Sequence, residues 1–411
     1  MNLGQGYHLM YCTNVHPGET WPETFEGLRT YLPAIKARVS PRAPLAVGLR
    51  LSDVACRQLA EAGCLAEFKA WLDAERLYVP LINGFPFGSF HREAVKDDVH
   101  QPDWTTRARL DYTKNLAHVL AYLLPPGLEG GISTSPLSYK PWLAGDAART
   151  QAVFAQSTQH LAEVIEELVA IRTRTGRLIH LDLEPEPDGL LENTAEFVAY
   201  YENYLRPQVA QHLQSRLGLP ATQAAQAVAD HVQLCYDVCH FALAYEDPAA
   251  VFEQLAAHGI RVGRVQLSAA LKADLPADPA QRQALAQEFA KFAEPTYLHQ
   301  VLVRNHDGSL TQYPDLPAAL PHMLDSSAQE WRSHFHVPIF LERYHQLQAT
   351  QADIRAVLAL LAHQPITRYL EVETYTWEVL PPDLKQELGT SIAREMAWVQ
   401  QHLALPPAPL G

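Results

Sequence analysis

Leu178-Ile179-His180-Leu181-Asp182-Leu183-Glu184-Pro185-Glu186-Pro187 carries an apolar face and an acidic face in ten residues. Strand side chains alternate with a period of two, so Leu181 and Leu183 share one side while Asp182, Glu184 and Glu186 share the other. Pro185 has no N–H to give to a strand ladder, which places Glu184 at the carboxyl end of the strand. Further β-like runs recur on both sides of this one, at Tyr7–Cys12, Leu45–Leu51, Leu77–Ile82, Gly131–Thr134, Val232–Val238, Arg261–Leu267 and Thr367–Thr374. Between them lie Ala- and Leu-rich stretches of helical spacing, among them Thr20–Val39, Asp53–Glu75, Trp104–Leu124, Asp146–Arg174, Thr194–Leu217, Ala249–His258 and Ala352–His363. Strands alternating with helices predict parallel βαβ units, and eight such units predict an α/β chain closed into a (β/α)8 TIM barrel, a single domain over residues 1–411. An open doubly wound sheet is the alternative. It would more often carry a Gly-rich phosphate turn after its first strand, and Gly4, Gly6 and Gly18 do not make one.

The βα rhythm breaks after Gln266. The segments Tyr297–Val303 and Leu310–Tyr313 flank Asn305-His306-Asp307-Gly308, whose Asp-Gly pair reads as a hairpin turn, and His334–Phe340 is a further strand-like run. An insertion at about 268–345, following the seventh strand and containing a β-hairpin, is expected.

Composition removes several function classes. The chain has 411 residues, 47% of them hydrophobic, enough for a large core, and a net charge of −14. An acidic chain lacks the Lys/Arg clusters that counterion release from nucleic acid or anionic lipid requires. No apolar run approaches the ~20 residues of a membrane span, and the first residues lack a basic segment leading into an apolar one, so a cytoplasmic location is expected. The five cysteines contain no CxxC pair and read as reduced thiols.

The chemistry concentrates where a barrel would place it, at the carboxyl ends of the strands. Leu234-Cys235-Tyr236-Asp237-Val238-Cys239-His240 puts Asp237 at the end of the sixth strand with His240 on the turn. Tyr369-Leu370-Glu371-Val372-Glu373 puts Glu371 and Glu373 on one face of the eighth, Glu373 nearer the rim. Three strands thus deliver carboxylates to one end of one barrel, an arrangement that raises their pKa values unless a cation intervenes. Hard oxygen donors with one imidazole suit Mn²⁺, Mg²⁺, Zn²⁺ or Co²⁺. Taken singly, each of these acids is as well explained by an ion pair or a helix cap. His334 and His336 share one face of their run, as two ligands or a substrate clamp, or else face solvent while Phe335, Val337 and Ile339 pack inward. Asn83-Gly84-Phe85-Pro86-Phe87-Gly88-Ser89-Phe90-His91 suits a loop over a ligand. Arg50, Asn14 and His91 are candidate polar contacts, with Asp53 an alternative partner for Arg50.

Glu at the end of strand five, Asp-x-x-His at strand six and Glu at strand eight resemble the xylose isomerase-like barrel superfamily of sugar isomerases, epimerases and metal-dependent DNA-repair endonucleases. More specifically, YCTNVHPGETW (11–21), NGFPFGSFH (83–91), GGISTSPLSYKPW (130–142), LDLEPEPDG (181–189), CYDVCHFA (235–242), SHFHVPIF (333–340) and LEVETYTWEVLP (370–381) resemble the EboE-type metabolite traffic proteins. That resemblance implies passage of secondary-metabolite precursors towards export, alongside other proteins of the same pathway. The superfamily's epimerase pattern implies that Glu184 and Glu373 ligate a metal and act as acid and base, that Asp237 is a ligand, and that His240 contacts substrate hydroxyls. Asn83, Arg50, His91, His334 and Asn14 are the further substrate contacts expected. The pattern's fourth ligand, a His on strand seven, is Gln266 here, a weaker donor for a transition metal. His336 would restore an imidazole. The expected function is therefore the handling of a polar small molecule at a divalent-metal site for export. A metal-dependent sugar isomerase or epimerase and a non-catalytic carrier are the alternatives. A DNA-repair phosphodiesterase is disfavoured by the charge.

Overall fold

The structure, a computed structural model, describes residues 1–91 and 95–405. Eight strands build the wall: β1 (Tyr7–Tyr11), β2 (Leu45–Arg50), β3 (Leu77–Asn83), β4 (Gly130–Thr134), β5 (Ile179–Leu183), β6 (Val232–Asp237), β7 (Val262–Leu267) and β8 (Tyr369–Val372). They run in the order β1-β8-β7-β6-β5-β4-β3-β2, every neighbouring pair parallel. The remaining seam, between β1 and β2, is spanned by one parallel bridge, Cys12 to Gly48, and by the Arg50 N–H donating to Thr13 Oγ1 at 2.9 Å. The result is an α/β barrel, nearly closed. Residues Asn2–Gly4 add a short antiparallel strand outside β1.

Parallel strands covered by helices are buried on both faces, and β1, β2, β4, β5, β6, β7 and β8 are buried throughout. The helices begin where the sequence supplies caps. Thr20 and Glu23 form a reciprocal capping box ahead of Trp21–Val39, Asp146 caps the long helix Ala147–Thr175, and Gly176 closes it in the left-handed conformation at φ 71°. None of the described helices is long and apolar enough to cross a membrane.

Between β7 and β8 the chain makes a second, antiparallel sheet of six strands. Its order is Leu310–Tyr313, Val301–Asn305, Ala328–Val337, Ala269–Asp274, Leu347–Ala349, Arg343–Tyr344. Ala328–Val337 pairs with Ala269–Asp274 through Ser333·Leu271 and Val337·Ala269, so three residues, 334–336, face only one, Ala270, on the partner. Such a bulge re-aims side chains. Here it turns both His334 and His336 into the barrel mouth instead of leaving them on one flat face, while Phe335 and Val337 remain buried as well.

Candidate metal centre at the barrel mouth

Asp182, Glu184, Asp237, Glu371 and Glu373 project into the barrel, and the structure sorts them by depth. At the floor, Arg264 on β7 lies 3.1 Å from Asp182 Oδ2 and 3.1 Å from Glu371 Oε2, with its remaining nitrogen donating to Ile82 O at 3.2 Å. All three side chains are fully buried. Space for them comes from glycines in the wall: a Cβ on Gly48 would stand 1.8 Å from Glu371 Oε1, and one on Gly263 would stand 2.0 Å from Asp182 Oδ1. Alternation along β7 places Arg264, Gln266 and Ser268 on one side, the signal by which Arg264 was recognisable as an inward-facing cation.

One layer higher, Glu184, Asp237 and Glu373 have no such partner. Each offers a carboxylate oxygen, and the three lie within 4.8 Å of one another. The only basic side chains within 4.0 Å of these carboxylates among the described residues are histidines: His240 at 3.9 Å from Glu184, His336 at 3.9 Å from Asp237 and 3.8 Å from Glu373. Burial, reinforced by the Asp237 charge, pushes the Glu184 carboxyl well above its usual range; burial and the Glu184 charge do the same to Glu373. Burial works against the Asp237 carboxylate too, but His240, His336 and the Ser268 hydroxyl outweigh it and hold that group below its ordinary value.

Hydrogen bonds orient the triad. Asn14 Nδ2 and Asn83 Nδ2 both donate to Glu373 Oε1 at 2.9 Å, tying β1 and β3 to the residue that follows β8. Asp237 ends β6 and caps the helix Val238–Leu243, so its Oδ1 receives the N–H groups of Cys239 (2.8 Å) and His240 (3.2 Å) and the hydroxyl of Ser268. Asp237 Oδ2 and Glu184 Oε2 are buried and have no hydrogen-bond partner among the described residues. Two orphaned carboxylate oxygens inside an all-oxygen triad fit a hard divalent cation.

Glu184 and Glu373 border a cavity of about 70 Å³, whose walls also include Asn14, Asn83, His240, His334 and His336. Three of the residues expected at the site lie elsewhere. Arg50 is buried against Glu19 (3.2 Å) and the carbonyls of Gly18 and Gly88, and Asp53 pairs instead with Arg57. Gln266 Oε1 accepts from the Cys235 thiol at 2.9 Å and does not line the cavity. His91 Nε2 bonds Asn14 O at 2.5 Å and Nδ1 lies 3.2 Å from the Tyr297 hydroxyl, which places it behind Asn14.

Sequence reasoning did not find the pair Glu186 and His100, which line the same cavity 3.2 Å apart. Burial pushes the Glu186 carboxyl well up and the His100 imidazole down to about 3. Glu186 was legible as the third acid on the β5 face, whereas His100, in the short turn Lys96–His100, carried no pattern.

No protein-family model matches the chain, and no curated protein does. Solved structures similar to it include a xylose isomerase-like TIM barrel protein from Mycobacterium smegmatis in complex with magnesium (11% identity, 98% of each chain covered, TM-score 0.49). A sugar phosphate isomerase/epimerase-type protein from Anabaena variabilis (13% identity, 96% of this chain and 97% of that one, TM-score 0.49) is another. A third is an IOLI protein with a bound zinc atom (13% identity, 97% and 100% covered, TM-score 0.48). The barrel assignment itself rests on this chain's own strand order and parallel registers.

Proposed function

We propose that the chain binds a divalent cation between Glu184, Asp237 and Glu373 and acts on a small polar metabolite of sugar or polyol type. The observation that carries this reading is the partition of the carboxylates: Asp182 and Glu371 are paired with Arg264, while the three above them converge within 4.8 Å, two of them with unpartnered oxygens, and have no Lys or Arg within 4.0 Å among the described residues. A bound cation supplies Lewis acidity, drawing electron density from adjacent ligand oxygens and acidifying the intervening C–H. Glu184 and Glu373 stand on different strands of the mouth, so one takes the proton from carbon as a carboxylate while the other, as the acid, returns one. Return to the opposite face of the same carbon epimerises the ligand; return to the neighbouring carbon, with the hydroxyl proton moved in exchange, isomerises it. Asn14 and Asn83 hold Glu373 in place, and His240 faces the same space.

Metal content of the purified chain, followed by exchange of ligand C–H in D2O across a panel of ketoses and polyols, tests this. Stoichiometric metal and exchange at one carbon are expected. Absence of exchange with every member removes the isomerase reading.

The resemblance to EboE-type proteins supports a second reading, a carrier in metabolite export that keeps the pocket without turnover. The withdrawal of Gln266 from the triad favours it, since no strand-seven imidazole completes the ligand set. Ligand retention unchanged in Glu373→Gln would support the carrier, and its loss together with exchange would support the enzyme.

A further inference from the structure

His334 and His336 sit in the bulge of Ala328–Val337, buried, with their hydrogen bonds running in a chain that ends on a backbone carbonyl at both ends. Gln300 Nε2 donates to Pro187 O at 3.1 Å, so Gln300 Oε1 accepts from His334 Nδ1 at 2.8 Å. At the other end His336 Nδ1 donates to Glu373 O at 2.8 Å. Carbonyls only accept, so each ring spends its single N–H outward and keeps a lone pair on Nε2. The two Nε2 atoms face each other at 3.3 Å. Flipping the amide or exchanging a tautomer shifts the mismatch along the chain without removing it, because both ends are acceptors.

Two facing lone pairs at this separation are a ligand pair in want of an ion. Nitrogen ligands about 2.0–2.1 Å from a tetrahedral zinc stand ~3.3 Å apart along an edge of the tetrahedron. Ligating imidazoles commonly give the other N–H to a carbonyl, as both do here. A third donor is in place. Cys239, on the helix Val238–Leu243, offers its Sγ within 4.8 Å of the ligand nitrogens of both rings.

The geometry points to a second cation site, made by Cys239, His334 and His336, that takes a borderline ion of the Zn²⁺ class, separate from the hard, all-oxygen site of Glu184, Asp237 and Glu373. The thiol releases its proton to solvent on binding. Asp237 and His240, which with His336 form another group within 4.8 Å, flank the site.

Co²⁺ titration of the chelator-stripped full-length chain tests the site without reference to activity. Strong visible bands of a tetrahedral ion and a near-ultraviolet thiolate-to-cobalt band are expected in the unaltered protein. Cys239→Ser removes the thiolate band, and His334→Gln weakens cobalt binding by at least about 10–100-fold, while the double variant Glu184→Gln/Glu373→Gln keeps both spectral features. Mn²⁺ binding, read by water-proton relaxation, follows the opposite pattern: lost in the double variant, retained in Cys239→Ser. No thiolate band in the unaltered protein, or a band that survives Cys239→Ser, overturns the proposal whether or not any variant folds poorly. Cobalt bands lost only in the glutamine double variant overturn it as well, and leave the carboxylate site standing.

Discussion

Arg264 Nη1 lies 3.1 Å from Glu371 Oε2 at a depth where neither side chain reaches solvent. With Asp182 on its other side, the arginine offsets part of the charge of two buried carboxylates, and burial still raises the Glu371 carboxyl above its usual value. Removing one partner of a buried ion network leaves an uncompensated charge, which costs about 3–5 kcal/mol. Arg264→Met is expected to lose that much in urea unfolding, and adding Glu371→Gln to it is expected to recover part of the loss. Equal loss in single and double variants would show that the arginine contributes packing alone.

The glycines facing this floor make a steric prediction. A Cβ at Gly263 would meet Asp182 Oδ1 at 2.0 Å, and Asp182 is held by Arg264 and, at 2.6 Å, by His180. Gly263→Ala is therefore expected to destabilise the fold by about 1–3 kcal/mol or more through overpacking, seen as a lower thermal midpoint. An unchanged midpoint would mean that Asp182 has room to move away.

The proposed metal triad is expected to have opposite effects in the two states of the site. In the stripped protein, Glu184→Gln/Glu373→Gln removes buried repulsion, so its thermal midpoint is expected to exceed that of the unaltered chain above neutral pH. Added Mn²⁺ reverses the order, because a ligand at 100 times its Kd stabilises by about 2.7 kcal/mol only where it binds. Calorimetry with and without Mn²⁺ reads both arms, and a manganese-induced rise in the double variant would refute the assignment.

Glu395, on the C-terminal helix Leu388–His402, gives a pH prediction away from the metal centre. Its Oε1 accepts from Thr374 Oγ1 at 2.6 Å and Ile339 N at 3.1 Å, and burial raises its pKa from 4.5 to about 8. The folded chain therefore keeps a proton that the unfolded chain releases. This contribution is fully present below about pH 4.5 and is lost as pH rises to about 8, with a slope approaching about 1.4 kcal/mol per pH unit. Glu395→Gln is expected to flatten the decline of stability across that window. Parallel stability curves for the two proteins would place the ionisation elsewhere.

The barrel strands were legible because a βα unit is a local object: periodicity and capping along 20 to 40 residues decide it, and Glu184, Asp237 and Glu373 follow as strand-end residues. Arg50 and Gln266 were read from the same kind of position and sit outside the cavity. Their ends are claimed by neighbours that are remote in sequence, Glu19 across the loops for one and Cys235 on the adjacent strand for the other. His100 and the facing of His334 towards His336 had no local signature at all.

Period-two and period-3.6 patterning thus determined the α/β wall and the acids that reach its mouth, since both depend only on how a side chain alternates along its own backbone. Which acids receive an arginine, which remain uncompensated, and how a bulged strand from the second sheet turns two imidazoles onto one another were decided by tertiary structure. Coulomb energy and hydrogen-bond polarity depend on distance in space, and the groups that set them here lie as far as 359 positions apart in the chain.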